Sequence, residues 1–219
     1  MSHPAPESSL DLEGPCGYLE NLFRPTPSGV APRAAAVLCH PHPLFGGTMH
    51  NKTLYRLAKR LSADLDIASL RFNFRGTGNS LGRHDNGMAE IGDVRAAFDR
   101  ITREFPGLPI IVVGYSFGAY VGLRAGIADP RVNSLIALGT PLQRDWDMSF
   151  LAETQKARLF VQGENDEFGN ADAMRDFVAR MAGAVTLEIV DGADHLFHGV
   201  EDTAVDRVVN YLQRSGVPA

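Results

Sequence analysis

The sequence predicts an α/β protein with a mostly parallel, twisted β-sheet covered by helices on both faces. Short apolar runs alternate with segments in which apolar residues recur at the helical period, nearly to the end of the chain. Two runs, Pro109–Val113 and Val132–Leu138, are largely apolar, which is typical of strands buried on both sides. This alternation favours a sheet of about seven or eight strands over an all-α or all-β fold.

The first half of the chain supplies three strands and two helices. Proline and glycine punctuate them, at Pro25–Gly29 and again at Pro106-Gly107. The expected strands are Gly17–Phe23, Ala34–Cys39 and Ile67–Phe74, and the expected helices have apolar faces at Leu54, Leu57, Ala58 and Leu61 and at Ile91, Val94, Phe98, Ile101 and Phe105.

The second half repeats the alternation. A small-residue stretch after Val113 is expected to be a helix, and two more helices follow later. The expected strands are Pro109–Val113, Val132–Leu138, Leu159–Gln162 and Val185–Val190, and the later helices have apolar faces at Ala173, Met174, Phe177, Val178 and Met181 and over Val200 to Leu212. We expect residues 1–15 to be a flexible lead-in and residues 16–219 to form one domain.

Composition excludes several classes of function. The chain has 219 residues, 44% of them hydrophobic and 21% charged, and a net charge of −5 with no basic block. These values are ordinary for a globular protein and predict neither a nucleic-acid nor a membrane partner. Two cysteines, Cys16 and Cys39, suggest no disulfide framework. With no signal peptide visible, a cytoplasmic location is expected, and monomer and homodimer both stay open.

The pentapeptide Gly114-Tyr115-Ser116-Phe117-Gly118 is the most informative motif. It follows an apolar strand and precedes the small-residue helix, which is the context of a nucleophile elbow. In such a turn a serine is presented at the carboxyl end of a strand, where ligands bind in parallel sheets. The alternative is a chance match in a glycine-rich βα loop. The choice between the two interpretations depends on whether the rest of the chain supplies the other catalytic residues.

A serine nucleophile needs a base and a carboxylate, and for an elbow serine these follow in the order Asp/Glu, then His. The segment after the strand at Leu159–Gln162 offers Asp166, with Glu164 and Glu167 as rivals on spacing. The segment after Val185–Val190 offers His195, flanked by Asp191 and Asp194. We predict Ser116, Asp166 and His195 as the catalytic set and treat the two flanking aspartates as turn or cap residues.

Two other segments imitate functional motifs. His40, His42 and His50 suggest metal ligands, but no cysteine or carboxylate stands at a familiar spacing from them. The stretch Gly76–Gly82 suggests a dinucleotide loop, but its third glycine comes one residue late. We therefore expect neither a metal nor a cofactor. Arg75 either anchors a carboxylate substrate or holds this loop, and the second interpretation is preferred.

The elbow, the Gly163-x-x-Asp166 segment and the Gly192-x-x-His195 segment together resemble the α/β-hydrolase family. Within it the chain looks most like small, lidless bacterial hydrolases related to dienelactone hydrolase and carboxylesterases, over roughly Cys16 to Leu212. The resemblance implies a serine nucleophile and an oxyanion hole. One backbone N–H donor would be Phe117, and the second would be Leu44, with His42 as the alternative, because Pro41 and Pro43 have no N–H.

The connection Gly139–Ala157 leaves no room for the helical lid that many hydrolases insert there. The expected activity is therefore a carboxylesterase acting on small soluble esters. A thioesterase or an amidase or peptidase would use the same three residues, and a non-catalytic binding protein on the same scaffold is the alternative from another class.

Overall fold

The computed structural model describes residues 6–144 and 146–216. Its elements are numbered in chain order. The strands are β1 (Glu13–Gly14), β2 (Gly17–Tyr18), β3 (Asn21–Arg24), β4 (Ala34–Cys39), β5 (Ile67–Phe72), β6 (Ile110–Tyr115), β7 (Val132–Leu138), β8 (Ala157–Gly163) and β9 (Val185–Val190). The α-helices are α1 (Lys52–Leu65), α2 (Glu90–Glu104), α3 (Phe117–Ala128), α4 (Ala171–Val178) and α5 (Glu201–Ser215), and short 3₁₀ turns cover Pro43–Phe45 and Ser149–Leu151.

Seven strands form one sheet in the order β3-β5-β4-β6-β7-β8-β9. Every neighbouring pair is parallel except β3 with β5, which is antiparallel. The predicted α/β architecture is thus confirmed. The expected first strand, 17–23, is instead split into β2 and β3. The split arises because Gly17 adopts a φ of 104° and the N–H of Leu19 donates to the carbonyl of Leu12, away from the main sheet.

Helices cover the sheet on both sides, as the apolar strands require. Side chains of β4 alternate between two buried clusters: Ala35, Val37 and Cys39 face one, and Ala34, Ala36 and Leu38 face the other. Helices α2, α3 and α4 pack in the first cluster, and α1 and α5 in the second. The central strands are therefore rigidly held, and their carboxyl ends form a fixed edge on which side chains can be placed.

The start of the domain lies earlier than the sequence predicts. Ser8 exchanges two backbone hydrogen bonds with Phe23, of 3.0 Å and 2.7 Å, and Leu12 is fully buried. The carboxylate of Glu7 accepts from Arg71 and pairs with Arg24. Part of the segment 6–15, expected to be a flexible lead-in, thus contacts the main sheet, although six of its ten residues are exposed. These contacts offset the entropy of ordering that part. Residues 1–5 lie outside the described residues.

In its described residues, 139–144 and 146–156, the connection between β7 and β8 contains one 3₁₀ turn and no lid. This agrees with the predicted short connection. Along the two described stretches, no helix has the length and apolar character needed to cross a membrane.

Candidate active site

The elbow between β6 and α3 places Ser116 at the carboxyl end of the central strand. Ser116 has φ 53° and ψ −117°, a conformation that side chains rarely adopt. The turn is tight enough to require glycine on both sides. A Cβ on Gly114 would lie 2.2 Å from the carbonyl oxygen of Gly118, and a Cβ on Gly118 would lie 2.2 Å from the carbonyl oxygen of Cys39. These close approaches fix the serine relative to β4.

The structure brings the three predicted side chains together. Nε2 of His195 lies 2.8 Å from Oγ of Ser116, and Nδ1 lies 2.8 Å from Oδ2 of Asp166. An ionised carboxylate only accepts, so Nδ1 carries the proton and Nε2 is left to accept the Ser116 hydroxyl. All three residues are largely buried, with 8%, 4% and 2% of Ser116, His195 and Asp166 exposed. The arrangement can therefore move a proton from the serine to the imidazole.

Asp166 is held by more than the histidine. Nε2 of Gln162 donates to its Oδ2 at 2.7 Å, and the N–H of Phe168 donates to its Oδ1 at 2.8 Å. A buried carboxylate needs such partners to stay charged. The rival Glu164 is exposed and accepts from the N–H of Gly192, and Glu167 is exposed at the site's edge.

Sequence reasoning missed Gln162. The available signal was a polar residue directly after the buried apolar run Leu159–Val161, but the sequence does not show which group its amide contacts.

His195 is held in place by contacts with residues outside the predicted catalytic set. The hydroxyl of Tyr115 donates to its carbonyl at 3.2 Å, and the ring of Phe168 stands edge-on to its imidazole with centroids 4.7 Å apart. Gly139, at φ 55°, lets the end of β7 approach the ring, since a Cβ there would lie 3.2 Å from Nδ1. These contacts leave the imidazole few alternative orientations.

The two backbone N–H groups expected to form an oxyanion hole, those of Phe117 and Leu44, differ in whether they already have a hydrogen-bond acceptor. The N–H of Phe117 begins α3 and has no acceptor among the described residues. The N–H of Leu44, the preferred second donor, donates to Nδ1 of His42 at 3.2 Å, and Leu44 is 69% exposed. The Leu44 N–H is therefore already engaged in this structure, and its role as an oxyanion donor stays a prediction. The backbone N–H of His42, the stated alternative, has no acceptor within the described chain and belongs to a residue that lines the cavity.

Behind this loop lies His40, a fully buried histidine. Its Nδ1 donates to the carbonyl of Pro41 at 2.6 Å, and its Nε2 accepts from the N–H of Phe74 at 3.1 Å. Burial lowers the pKa of His40 to about 4. The ring is therefore neutral and has a structural role. It fastens the loop that carries His42 to the end of β5.

A cavity of about 220 Å³ opens above Ser116, smaller than the roughly 300–1,000 Å³ usual for drug-sized ligands. Its charged groups are Arg144 and Glu167. Burial lowers the pKa of His42, and the electrostatic effects of the neighbouring His84 and Arg144 side chains act in the same direction. Aromatic, apolar and catalytic groups complete the lining: Pro41, His42, Phe45, Ser116, Trp146, Phe168, His195 and Leu196.

The other candidate residues lie elsewhere or serve the fold. Arg75 forms a bidentate, buried pair with Asp93, 2.7 Å at its shortest, which supports the loop-holding interpretation. Asp194 accepts from the N–H groups of Leu196 and His198, as a turn residue does. Over the described ranges, no group of three or more histidine, cysteine or carboxylate side chains is placed to hold a metal ion.

A parallel sheet with a strained serine elbow and a hydrogen-bonded histidine and aspartate, each after its own strand, defines an α/β hydrolase. The comparison with known families agrees: residues 33–213 match the family described as "Alpha/beta hydrolase domain". The chain belongs to the α/β-hydrolase family, as its sequence motifs suggested.

Similar proteins come from several bacteria. A serine hydrolase without a lid from Xanthomonas campestris has a TM-score of 0.87 and 32% identity over 100% of this chain and 99% of that one. A putative α/β hydrolase of unknown function from Agrobacterium tumefaciens has a TM-score of 0.86 and 31% identity over 96% of each chain. An uncharacterized protein of Rickettsia prowazekii is 33% identical over 209 residues, 92% of this chain and 87% of its own.

Proposed function

We propose that this hydrolase is a serine carboxylesterase that cleaves small soluble esters through an acyl-enzyme intermediate. One observation carries the proposal: Oγ of Ser116 lies 2.8 Å from Nε2 of His195, whose Nδ1 lies 2.8 Å from Asp166. A serine hydroxyl becomes nucleophilic when a base takes its proton, and the carboxylate stabilises the imidazolium that forms.

In the first half-reaction, Oγ of Ser116 bonds to the ester carbonyl carbon as its proton moves to Nε2 of His195. The bond from that carbon to the alkoxy oxygen then breaks, and the alcohol leaves with the proton from His195. In the second half-reaction, His195 takes a proton from water, whose oxygen attacks the acyl carbon. The bond from the acyl carbon to Oγ of Ser116 then breaks, the acid is released, and Oγ takes the proton back from His195.

The carbonyl oxygen gains negative charge in both steps. In our proposal the N–H groups of Phe117 and His42 donate to it. Their availability supports this, because neither has an acceptor in the described structure. The N-terminus of α3 adds the positive end of a helix dipole at the same place. Such preorganised donors are worth roughly 10²- to 10³-fold in rate each.

Substrate size follows from the cavity. A volume of about 220 Å³ suits short acyl groups, and the short connection between β7 and β8 leaves the entrance uncovered. Small, water-soluble esters fit this site better than long-chain lipids do.

The test combines labelling and turnover. Wild type, Ser116→Ala and the control Ser215→Ala, a serine at the end of α5, are treated with a fluorophosphonate probe. They are then assayed on p-nitrophenyl esters of increasing acyl length and on a matched thioester. We expect labelling and hydrolysis in wild type and the control, and neither in Ser116→Ala.

Different outcomes separate the alternatives. A thioester cleaved with much higher kcat/KM than its oxygen ester would identify a thioesterase, and preferential cleavage of an anilide would identify an amidase. Wild-type protein that neither labels nor hydrolyses any of these substrates would be a binding protein on a hydrolase scaffold.

A further inference from the structure

Arg144 is an exposed residue that lines the cavity containing Ser116. Its guanidinium carbon lies 3.9 Å from the ring centre of Phe168 and 5.7 Å from that of Phe45. The ring of Phe168 in turn packs against the imidazole of His195, with ring centroids 4.7 Å apart. One aromatic ring therefore separates a positive charge from the proposed general base. Two rings hold that charge in place by cation–π contact.

The guanidinium has hydrogen-bonding capacity to spare. Within the described residues its N–H groups donate to no acceptor and pair with no carboxylate, although Glu167 lines the same cavity. Cation–π contact uses none of the five N–H donors of a guanidinium. Two of these donors match the two oxygens of a carboxylate.

The charge also acts inside the site. The positive charge of Arg144 contributes to lowering the pKa of His42, the residue whose backbone N–H we assign to the oxyanion hole. An anionic group on a substrate would therefore enter a positive field on the Arg144 side of the cavity. On the Glu167 side it would be repelled.

We propose that Arg144 is a specificity-determining residue that binds a carboxylate carried by the substrate, so that the preferred substrates are esters bearing a free carboxylate a few atoms from the scissile bond. This inference rests on the proposed esterase function and narrows its substrate class. At about 1.5 Å per carbon–carbon bond, a spacer of roughly two to four methylene groups spans the distance across one aromatic ring. Half-esters of short dicarboxylic acids have this chemistry, as do acyl esters of short hydroxy acids.

The experiment compares esters that differ only in charge. One series contains the monoethyl esters of succinic, glutaric and adipic acid. The other contains the acetate esters of glycolic, 3-hydroxypropanoic and 4-hydroxybutanoic acid. Each acid is matched by its carboxamide, which has nearly the same shape and no charge. The ratio of kcat/KM for acid over amide is measured at pH 7.5 for wild type, Arg144→Gln and Arg175→Gln. Arg175 is an exposed arginine of α4, paired with Asp172 outside the cavity.

We expect at least one acid to be preferred over its amide about tenfold or more in wild type. Arg144→Gln should reduce that ratio by about 10- to 100-fold, the effect of one charge-assisted hydrogen-bonded pair. Arg175→Gln should leave the ratio unchanged.

The proposal is overturned if wild type prefers no acid in either series, or if Arg144→Gln keeps the full preference. If the carboxamide-bearing esters are still cleaved and Ser116 is still labelled, either result leaves the proposed esterase function in place. If wild type cleaves neither acids nor amides and Ser116 does not label, the proposed function itself has failed.

Discussion

Nε2 of His40 accepts a hydrogen bond from the backbone N–H of Phe74 at 3.1 Å, and this bond joins the loop after β4 to the segment after β5. The bond exists only while Nε2 carries no proton. Nδ1 already donates to the carbonyl of Pro41, so both ring nitrogens are engaged: one by the loop after β4 and the other by the segment after β5. Because the ring is fully buried, adding a proton would place an unpaired charge in the core.

Stability should therefore fall in mildly acidic solution. The pKa of His40 is lowered from 6.5 to about 4 in the folded protein, so the unfolded chain binds the proton first. The contribution of neutral His40 to the free energy of unfolding is complete above pH 6.5 and is lost as the pH falls toward 4. The loss amounts to about 3 kcal/mol at most. Urea unfolding of wild type between pH 4 and 8 measures the slope.

The control for this prediction is His40→Gln, which removes the titrating group and keeps an acceptor for the Phe74 N–H. Its free energy of unfolding should be lower than that of wild type at pH 7.5 and should vary less between pH 6.5 and 4. Equal slopes for the two proteins would show that other groups cause the acid sensitivity.

Asp166→Asn should abolish most activity without unfolding the protein. Asparagine is nearly isosteric, but its amide no longer fixes Nδ1–H or stabilises the imidazolium, so kcat should fall by about 10³- to 10⁴-fold with little change in KM. Steady-state hydrolysis of p-nitrophenyl acetate measures both. The matched control is Glu164→Gln, since Glu164 is a nearby exposed carboxylate, and it should retain wild-type kcat. A larger loss in Glu164→Gln would show that Asp166 is not the carboxylate partner.

The sequence predicts the residues that follow a pattern along the chain, but not those whose role depends on tertiary contacts. The elbow, Asp166 and His195 could be predicted because each follows a strand in a required order, and parallel strands bring their carboxyl ends to one edge. Gln162 and Phe168, which hold Asp166, act through side-chain and loop geometry that spacing does not encode. The loop after β4, which carries His42 and Leu44, shows the same limit. The Leu44 N–H donates to the His42 side chain, and the sequence does not predict this hydrogen bond.

Strain at the nucleophile should be measurable in inactive variants. Ser116 has a φ of 53°, and in Ser116→Gly the missing Cβ relieves that strain, whereas Ser116→Ala keeps it. We expect the glycine variant to be more stable than the alanine variant by about 1 kcal/mol in urea unfolding. At Ser149, which begins a 3₁₀ turn, the order should reverse, because there glycine only adds entropy to the unfolded chain. Alanine more stable than glycine at position 116 would mean that the elbow is unstrained.

Gly118→Ala should damage both fold and activity. Its Cβ would meet three backbone atoms of Cys39 and His40 within 2.7 Å, and backbone cannot move aside cheaply. We expect a loss of about 3 kcal/mol of stability and a large fall in kcat, because α3 and the oxyanion loop would be forced apart. The control is Gly122→Ala in the same helix, whose nearest contact is the Sγ atom of Cys39 at 3.0 Å. It should lose about 1 kcal/mol or less, and equal losses for the two variants would contradict this explanation.

The uncovered entrance predicts how the rate should respond to an oil–water interface. Interfacial activation requires a lid that opens on contact with lipid. Here the described residues of the connection between β7 and β8 form only one regular element, the turn Ser149–Leu151. Phe45, which lines the cavity, is already 74% exposed, and its neighbour Leu44 is 69% exposed. Hydrolysis of tributyrin should therefore rise smoothly with concentration and saturate, with no jump at the solubility limit. A lidded lipase assayed in parallel provides the comparison. A sharp rise for this protein where droplets form would mean that some part of the chain moves to uncover Ser116.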